Sequence, residues 1–100
     1  MDATQQLMKD LTEVNGISGF EKEVAKVIEK HLKPLTTITY DRLGSIICRK
    51  EGASPSPKVM LAAHMDEVGF IVKQITKEGF LKFIPVGGWW SHVILGHRVI

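Results

Sequence analysis

The chain has 100 residues, 44% of them hydrophobic and 24% charged, and its formal net charge is +2. These values are typical of one ordinary globular domain. Its 13 basic and 11 acidic residues are interspersed, without the basic stripe and interleaved aromatics that nucleic-acid binding requires. We therefore expect no nucleic-acid partner.

Features of the chain also argue against a membrane or secreted protein. The start, Met1 to Gln6, is polar and lacks the pattern of a signal peptide. No apolar run approaches the roughly 20 residues of a membrane span. The single cysteine, Cys48, excludes an internal disulfide and agrees with a reducing compartment. The sequence thus predicts a cytoplasmic protein.

Two helices are predicted at the start of the chain. Apolar residues recur at helical spacing from about Ala3 to Val14, just before an Asn-Gly stop. The second helix is predicted to begin at Ser18, because Ser18 and Glu21 have the form of a capping box, and to end at Lys33-Pro34. His31 lies in its last turn, where a positive group complements the helix dipole. We expect His31 to be an exposed helix-end residue rather than a ligand.

Three strands are predicted next. Residues Thr36 to Tyr40 and Ser45 to Arg49, joined by an Asp-Arg-Leu-Gly turn, predict a β-hairpin. A Ser- and Pro-rich loop then leads into the apolar run Val59 to Ala63, which is typical of a strand buried on both faces of a sheet. The order helix, helix, strand, strand, strand predicts the opening of an α/β sheet.

Three polar side chains, His64, Asp66 and Glu67, follow this apolar run. In extended chain, residues i and i+2 project to the same side, so His64 and Asp66 should lie next to each other. A divalent ion such as zinc can bind one ring nitrogen of a histidine while a carboxylate holds the other N–H. A bare H-x-D motif is also common by chance, and then His64 merely ends a strand and Asp66 caps a turn.

The remainder of the chain predicts a second, all-β unit without helices. Two strands are expected at Val68 to Thr76 and Phe80 to Val86, and a last β-like segment at Ser91 to Ile100. The aromatic and histidine residues near glycines in this part are expected to pack the corner of a small barrel rather than to bind a ligand; they are Trp89, Trp90, His92 and His97. The apolar pattern still rises at Ile100, so we expect the natural chain to continue.

Several blocks of this sequence together resemble the glutamyl and deblocking aminopeptidase family of dinuclear zinc metallopeptidases. The blocks are Asn15–Glu21 (NGISGFE), Asp41–Ser45 (DRLGS), Ala63–Phe70 (AHMDEVGF), Gly87–Trp89 (GGW) and Gly96–Val99 (GHRV). No block is decisive alone, but the set in this order is specific. Some members carry an endoglucanase label. We do not expect that activity, because glycosidases need two carboxylates at a defined separation, and this segment shows no candidate pair whose separation the sequence defines.

The resemblance implies a longer protein, with an α/β peptidase domain interrupted by a β-barrel-like domain used in homo-oligomer assembly. Residues 1–68 would belong to the first domain and residues 69–100 would begin the second. Members resemble aminopeptidases that act on peptides with two divalent ions, zinc or cobalt, per subunit.

Two residues of this sequence match functional positions of that family. His64 matches the first metal ligand and Asp66 the catalytic carboxylate that orients it, whereas Glu67 matches a position in the same motif to which we assign no catalytic role. The other ligands and the general base would lie beyond Ile100. We therefore expect these 100 residues alone to be inactive and to hold zinc weakly.

Two alternative functions agree with the same residues. Other cocatalytic zinc amidohydrolases, resembling carboxypeptidases or deacetylases, also use H-x-D after a buried strand. The second alternative is a non-catalytic module in which the β-rich part, Gly69 to Ile100, mediates assembly and His64 is incidental.

Overall fold

The computed structural model describes all 100 residues and begins with two helices, as predicted. Helix α1 spans Ala3–Glu13 and helix α2 spans Lys22–Leu32. Helix α1 starts in a capping box, in which the Asp2 carboxylate accepts from the Gln5 backbone N–H and the Gln5 side chain accepts from the Asp2 N–H. The helices pack together, and the buried hydrophobic residues are Val24 and Ala25 of α2.

The prediction that Ser18 caps α2 is wrong. The N-cap position is Glu21, no side chain caps this helix, and the Glu21 carboxylate instead accepts from the Gly19 N–H at 2.6 Å. Gly19 has a φ of 88°, so the chain turns between Ser18 and the helix in a conformation that favours glycine. The Ser18 hydroxyl is thereby free to contact another part of the chain.

His31 lies in the last turn of α2, as predicted, but its side chain is half-buried rather than exposed. The reason is a contact with the first helix, because Nε2 of His31 lies 3.1 Å from Oδ2 of Asp10. This contact joins α1 to α2.

Two antiparallel hairpins follow the helices; the first was predicted as a hairpin and the second as two strands. Strands β1 (Thr37–Tyr40) and β2 (Ile46–Arg49) form one, and strands β3 (Gly69–Ile75) and β4 (Leu81–Val86) form the other. The second hairpin turns through residues 76–80 and carries an irregularity in register between Val72 and Gln74. Each hairpin is a separate two-stranded sheet.

The predicted buried strand at residues 59–63 is not formed. These residues adopt no regular structure, and the side chains of Val59, Met60 and Leu61 are 82%, 86% and 94% exposed. A buried strand needs neighbouring strands for its backbone hydrogen bonds. Each of the two sheets consists of two strands only, and neither includes this segment. The expected mixture of helices and strands is confirmed, but the central strand is absent.

The end of the chain also differs from the prediction. Residues Ser91–Ile94 form a short helix, α3, rather than a β-like segment. The Cα radius of gyration is 18.0 Å, against about 13 Å for a compact domain of this length, which agrees with the small core. None of the helices has the length and apolar character needed to cross a lipid bilayer.

Candidate metal centre

The predicted pairing of His64 with Asp66 is confirmed. Nδ1 of His64 lies 3.0 Å from Oδ1 of Asp66 and 3.1 Å from the Asp66 backbone oxygen. The His64 side chain is 86% exposed, so its ring does not point into packed hydrocarbon. With the ring proton on Nδ1, the Nε2 lone pair is available to an external ligand.

The carboxylate of Asp66 is held on both of its oxygens. Oδ1 faces His64, and Oδ2 accepts a hydrogen bond from the hydroxyl of Ser18, 48 positions earlier in the chain. The hydrogen bond from Ser18 is the main cause that lowers the pKa of Asp66; partial burial opposes the shift, and the hydrogen bond with His64 adds to it. Asp66 is therefore an ionised acceptor at neutral pH.

Glu67 points away from this pair and fixes the backbone beside it. Its Oε1 accepts from the Gly16 N–H at 2.9 Å, and its own N–H donates to the Gly16 carbonyl at 2.8 Å. Ile17 and Glu67 also form an isolated parallel bridge. Residues 16–18, in the loop between α1 and α2, thus run alongside residues 65–67.

His64 and Asp66 line two clefts. The first, about 320 Å³, is shared with α2 and the turn between β1 and β2; the second, about 510 Å³, lies against α1 and α2. Both clefts are open, so the imidazole is accessible from solvent.

The other predicted aromatic and histidine residues lie elsewhere. Trp89 is half-buried, donates from Nε1 to the Gly69 carbonyl at 3.0 Å and stacks on Phe70 at 4.7 Å between ring centroids, which agrees with its predicted packing role. Trp90 is 72% exposed and lies beside His92. No three His, Cys, Asp or Glu side chains converge on one point in the chain.

The arrangement of His64 and Asp66 fits one part of a metal site. A metal-bound histidine usually gives its second N–H to a carboxylate or carbonyl, and Nδ1 of His64 faces one of each, both from Asp66. One imidazole supplies one of the roughly four bonds that zinc takes. The pair can therefore contribute an oriented ligand.

Sequence reasoning missed Ser18 and Gly16 as parts of this arrangement. Ser18 had the local pattern of a helix cap, and Gly16 that of a helix stop. Their contacts with Asp66 and Glu67 span 48 and 51 positions, and no short-range pattern encodes such a separation.

Comparison with known proteins identifies the family. The model of the M42 glutamyl aminopeptidase family matches residues 44–100, more than half of the chain. A second model, described as AMPT, matches residues 2–28.

Similar proteins include the glutamyl aminopeptidase of Lactococcus lactis subsp. cremoris, which is 39% identical over 97 residues covering 91% of this chain and 26% of that protein. The crystal structure of a TET aminopeptidase from Thaumarchaeota archaeon SCGC AB-539-E09 is 45% identical, with a TM-score of 0.89 over 95% of this chain and 27% of that one. PhTET1-12s, solved as a dodecamer, is 35% identical with a TM-score of 0.73 over 88% of this chain and 26% of that one.

This chain thus spans about a quarter of the length of each relative it matches. The two matched family models cover residues 2–28 and 44–100 of the chain, and the second of these ranges includes the His64 segment. The chain therefore belongs to the M42 glutamyl aminopeptidase family.

Proposed function

We propose that this chain is part of a metal-dependent aminopeptidase, in which His64 is a metal ligand and Asp66 orients it. The observation that carries the proposal is the distance of 3.0 Å between Nδ1 of His64 and Oδ1 of Asp66, with the rest of the ring exposed. The family match and the aminopeptidase names of the relatives support it.

The reaction is removal of amino-terminal residues from peptides by hydrolysis. We propose two divalent ions, zinc or cobalt, which when bound supply Lewis acidity for this chemistry. His64 would hold an ion through Nε2, while Asp66 accepts the Nδ1 proton and keeps the ring in one orientation. The proposal requires further ligands and a general base from outside these 100 residues, because no third donor joins the pair.

The proposal also assigns the two parts of the chain to different domains. Residues 1–68 would belong to the catalytic α/β domain and residues 69–100 would begin a β-barrel-like domain used in homo-oligomer assembly. The start of β3 at Gly69 supports this boundary, and the dodecamer formed by PhTET1-12s supports assembly. We also infer a cytoplasmic location, which the free thiol of Cys48 supports.

A chimera would test the proposed activity. These 100 residues would replace the matching segment of the Thaumarchaeota TET aminopeptidase, and the product would be assayed on peptides with free and with acetylated amino termini. We expect hydrolysis of free peptides only. His64→Ala should lose bound metal and activity together, and Asp66→Asn should weaken both by about 10- to 100-fold without changing the circular dichroism spectrum.

His97→Ala is the matched control, because it removes an imidazole that lies outside the His64 and Asp66 pair. It should keep the metal content and turnover of the parent chimera. A His64→Ala chimera that retained both would refute the assignment of His64. A folded, metal-loaded chimera that hydrolyses neither the free nor the acetylated peptides would instead favour a deacetylase-like zinc amidohydrolase.

A further inference from the structure

We propose that Ser18 is a positioning residue, which holds Asp66 so that the carboxylate fixes the tautomer of His64. This inference rests on the proposed function, since it adds Ser18 as the residue that holds Asp66, which in turn orients the proposed metal ligand His64. Asp66 receives the Ser18 hydroxyl on Oδ2 and faces Nδ1 of His64 with Oδ1. A carboxylate bonded on both oxygens cannot rotate away from the imidazole without losing a hydrogen bond.

The backbone fixes Ser18 at this place. The Gly16 N–H donates to Glu67, and the Glu67 N–H donates to the Gly16 carbonyl, so that residues 16–18 are held against residues 65–67. Gly16 is buried, and a Cβ there would lie 2.3 Å from Cγ2 of Val24 and 3.5 Å from the Met65 carbonyl. The absence of a side chain at position 16 is what allows this close approach.

The Ser18 hydroxyl has no other structural task in this chain. It does not cap α2, whose first turn has no side-chain cap, and its one hydrogen-bond partner is Asp66. The contact therefore serves the carboxylate rather than the helix.

The consequence for His64 is that one tautomer of its imidazole is favoured. A neutral imidazole exchanges between a form protonated on Nδ1 and a form protonated on Nε2. An acceptor fixed at Nδ1 selects the first form, which leaves the Nε2 lone pair for a metal ion. Without Ser18, the carboxylate can turn toward water, and only the Asp66 backbone oxygen, 3.1 Å away, still faces Nδ1. The selection therefore weakens.

The tautomer can be measured in the 100-residue chain without metal. Long-range ¹H–¹⁵N spectra of ¹⁵N-labelled protein separate the two forms, at a pH of about 9 that keeps imidazoles neutral. We expect the Nδ1–H form to dominate for His64. Ser18→Ala should lower its ratio to the Nε2–H form by about three- to tenfold, the scale of one hydrogen bond. Ser18→Thr, which keeps a hydroxyl, should restore the parent ratio.

Two controls separate positioning from a general change of structure. Ser45→Ala alters a serine that lines the first cleft together with His64 and Asp66, but whose N–H donates to Asp41. It should leave the His64 ratio unchanged. His92 and His97 report on the same samples and should not respond to Ser18→Ala. Backbone amide spectra would verify that each variant keeps the parent fold.

An unchanged His64 ratio in Ser18→Ala, an equal change in Ser45→Ala, or a dominant Nε2–H form in the parent chain would overturn the inference. The proposed function fails separately. If the chimera is inactive while Ser18→Ala still shifts the tautomer, the positioning role stands and the aminopeptidase assignment does not.

Discussion

The chain is held very differently on the two sides of His64. Before it, Val59, Met60 and Leu61 expose most of their surface and form no strand. After it, Asp66 and Glu67 are hydrogen-bonded to the loop between α1 and α2. The position of the imidazole therefore depends on the carboxyl-terminal side of the segment.

This difference shows what orders a short segment. Apolar character alone does not make a strand, because the backbone N–H and C=O groups still need partners that replace water. The polar residues after His64 have such partners within the chain, and the apolar residues before it do not. Breaking contacts on the bonded side should therefore cost stability, whereas truncating side chains on the exposed side should not.

The largest effect is expected from Gly16→Ala. The added methyl would lie 2.3 Å from Cγ2 of Val24, a buried residue of α2, so the loop and the helix must move apart. Overpacking of this kind lowers the free energy of unfolding by about 1–3 kcal/mol. Urea denaturation followed by circular dichroism would measure the loss.

Gly88→Ala is the control for Gly16→Ala. A Cβ at position 88 meets no atom within 4 Å and the backbone there is not left-handed, so it changes only the entropy of the unfolded chain. We expect no loss of stability and a small gain at most. Equal losses in both variants would mean that the loop does not approach α2 closely.

A smaller effect is expected at the contact between the helices that flank this loop. The pKa of Asp10 is lowered, first by the hydrogen bond from Gln6 and then by that from His31. A carboxyl whose pKa is lower in the folded than in the unfolded chain stabilises the fold above its unfolded pKa. The stabilisation by Asp10 is therefore lost as the pH falls below about 4, the ordinary pKa of an aspartate, and then through the lower pKa of Asp10 in the folded chain.

Thermal unfolding of the parent chain at a series of pH values would show this loss. Asp10→Asn should lower the melting temperature at neutral pH and flatten its decline in acid. Glu51→Gln, which removes an exposed ion pair with Arg49, should leave the pH profile close to that of the parent. A parent-like acid decline in Asp10→Asn would show that Asp10 does not stabilise the helix pair.

The smallest effect is expected on the exposed side of His64. Leu61→Ala should change the free energy of unfolding of this chain by less than about 0.5 kcal/mol, because Leu61 is 94% exposed. Val24→Ala, at a position only 6% exposed, should cost about 1 kcal/mol or more. Similar losses in both variants would mean that residues 59–61 pack in solution, and the contrast between the two sides would then fail.

Features with a local cause could be predicted from the sequence. The two helices follow from apolar spacing, the hairpins from β-branched runs around turns, and the contact between His64 and Asp66 from their separation by two positions. Other local predictions failed, among them the cap at Ser18 and the β-like segment whose first part forms α3. In the first case, the Ser18 hydroxyl donates to the distant carboxylate of Asp66 instead of capping α2. Nothing in the structure explains the second case.

The sequence by itself determined which residues are the candidates for the chemistry, because an imidazole and a carboxylate two positions apart project to the same side of an extended chain. Only the tertiary structure decided what holds that pair. Ser18 and Gly16 reach residues 66 and 67 across about half of the chain, and the apolar run before His64 forms no strand because strand formation depends on neighbours. Contacts between distant segments form only when folding brings both partners together, and a local pattern describes one partner at a time.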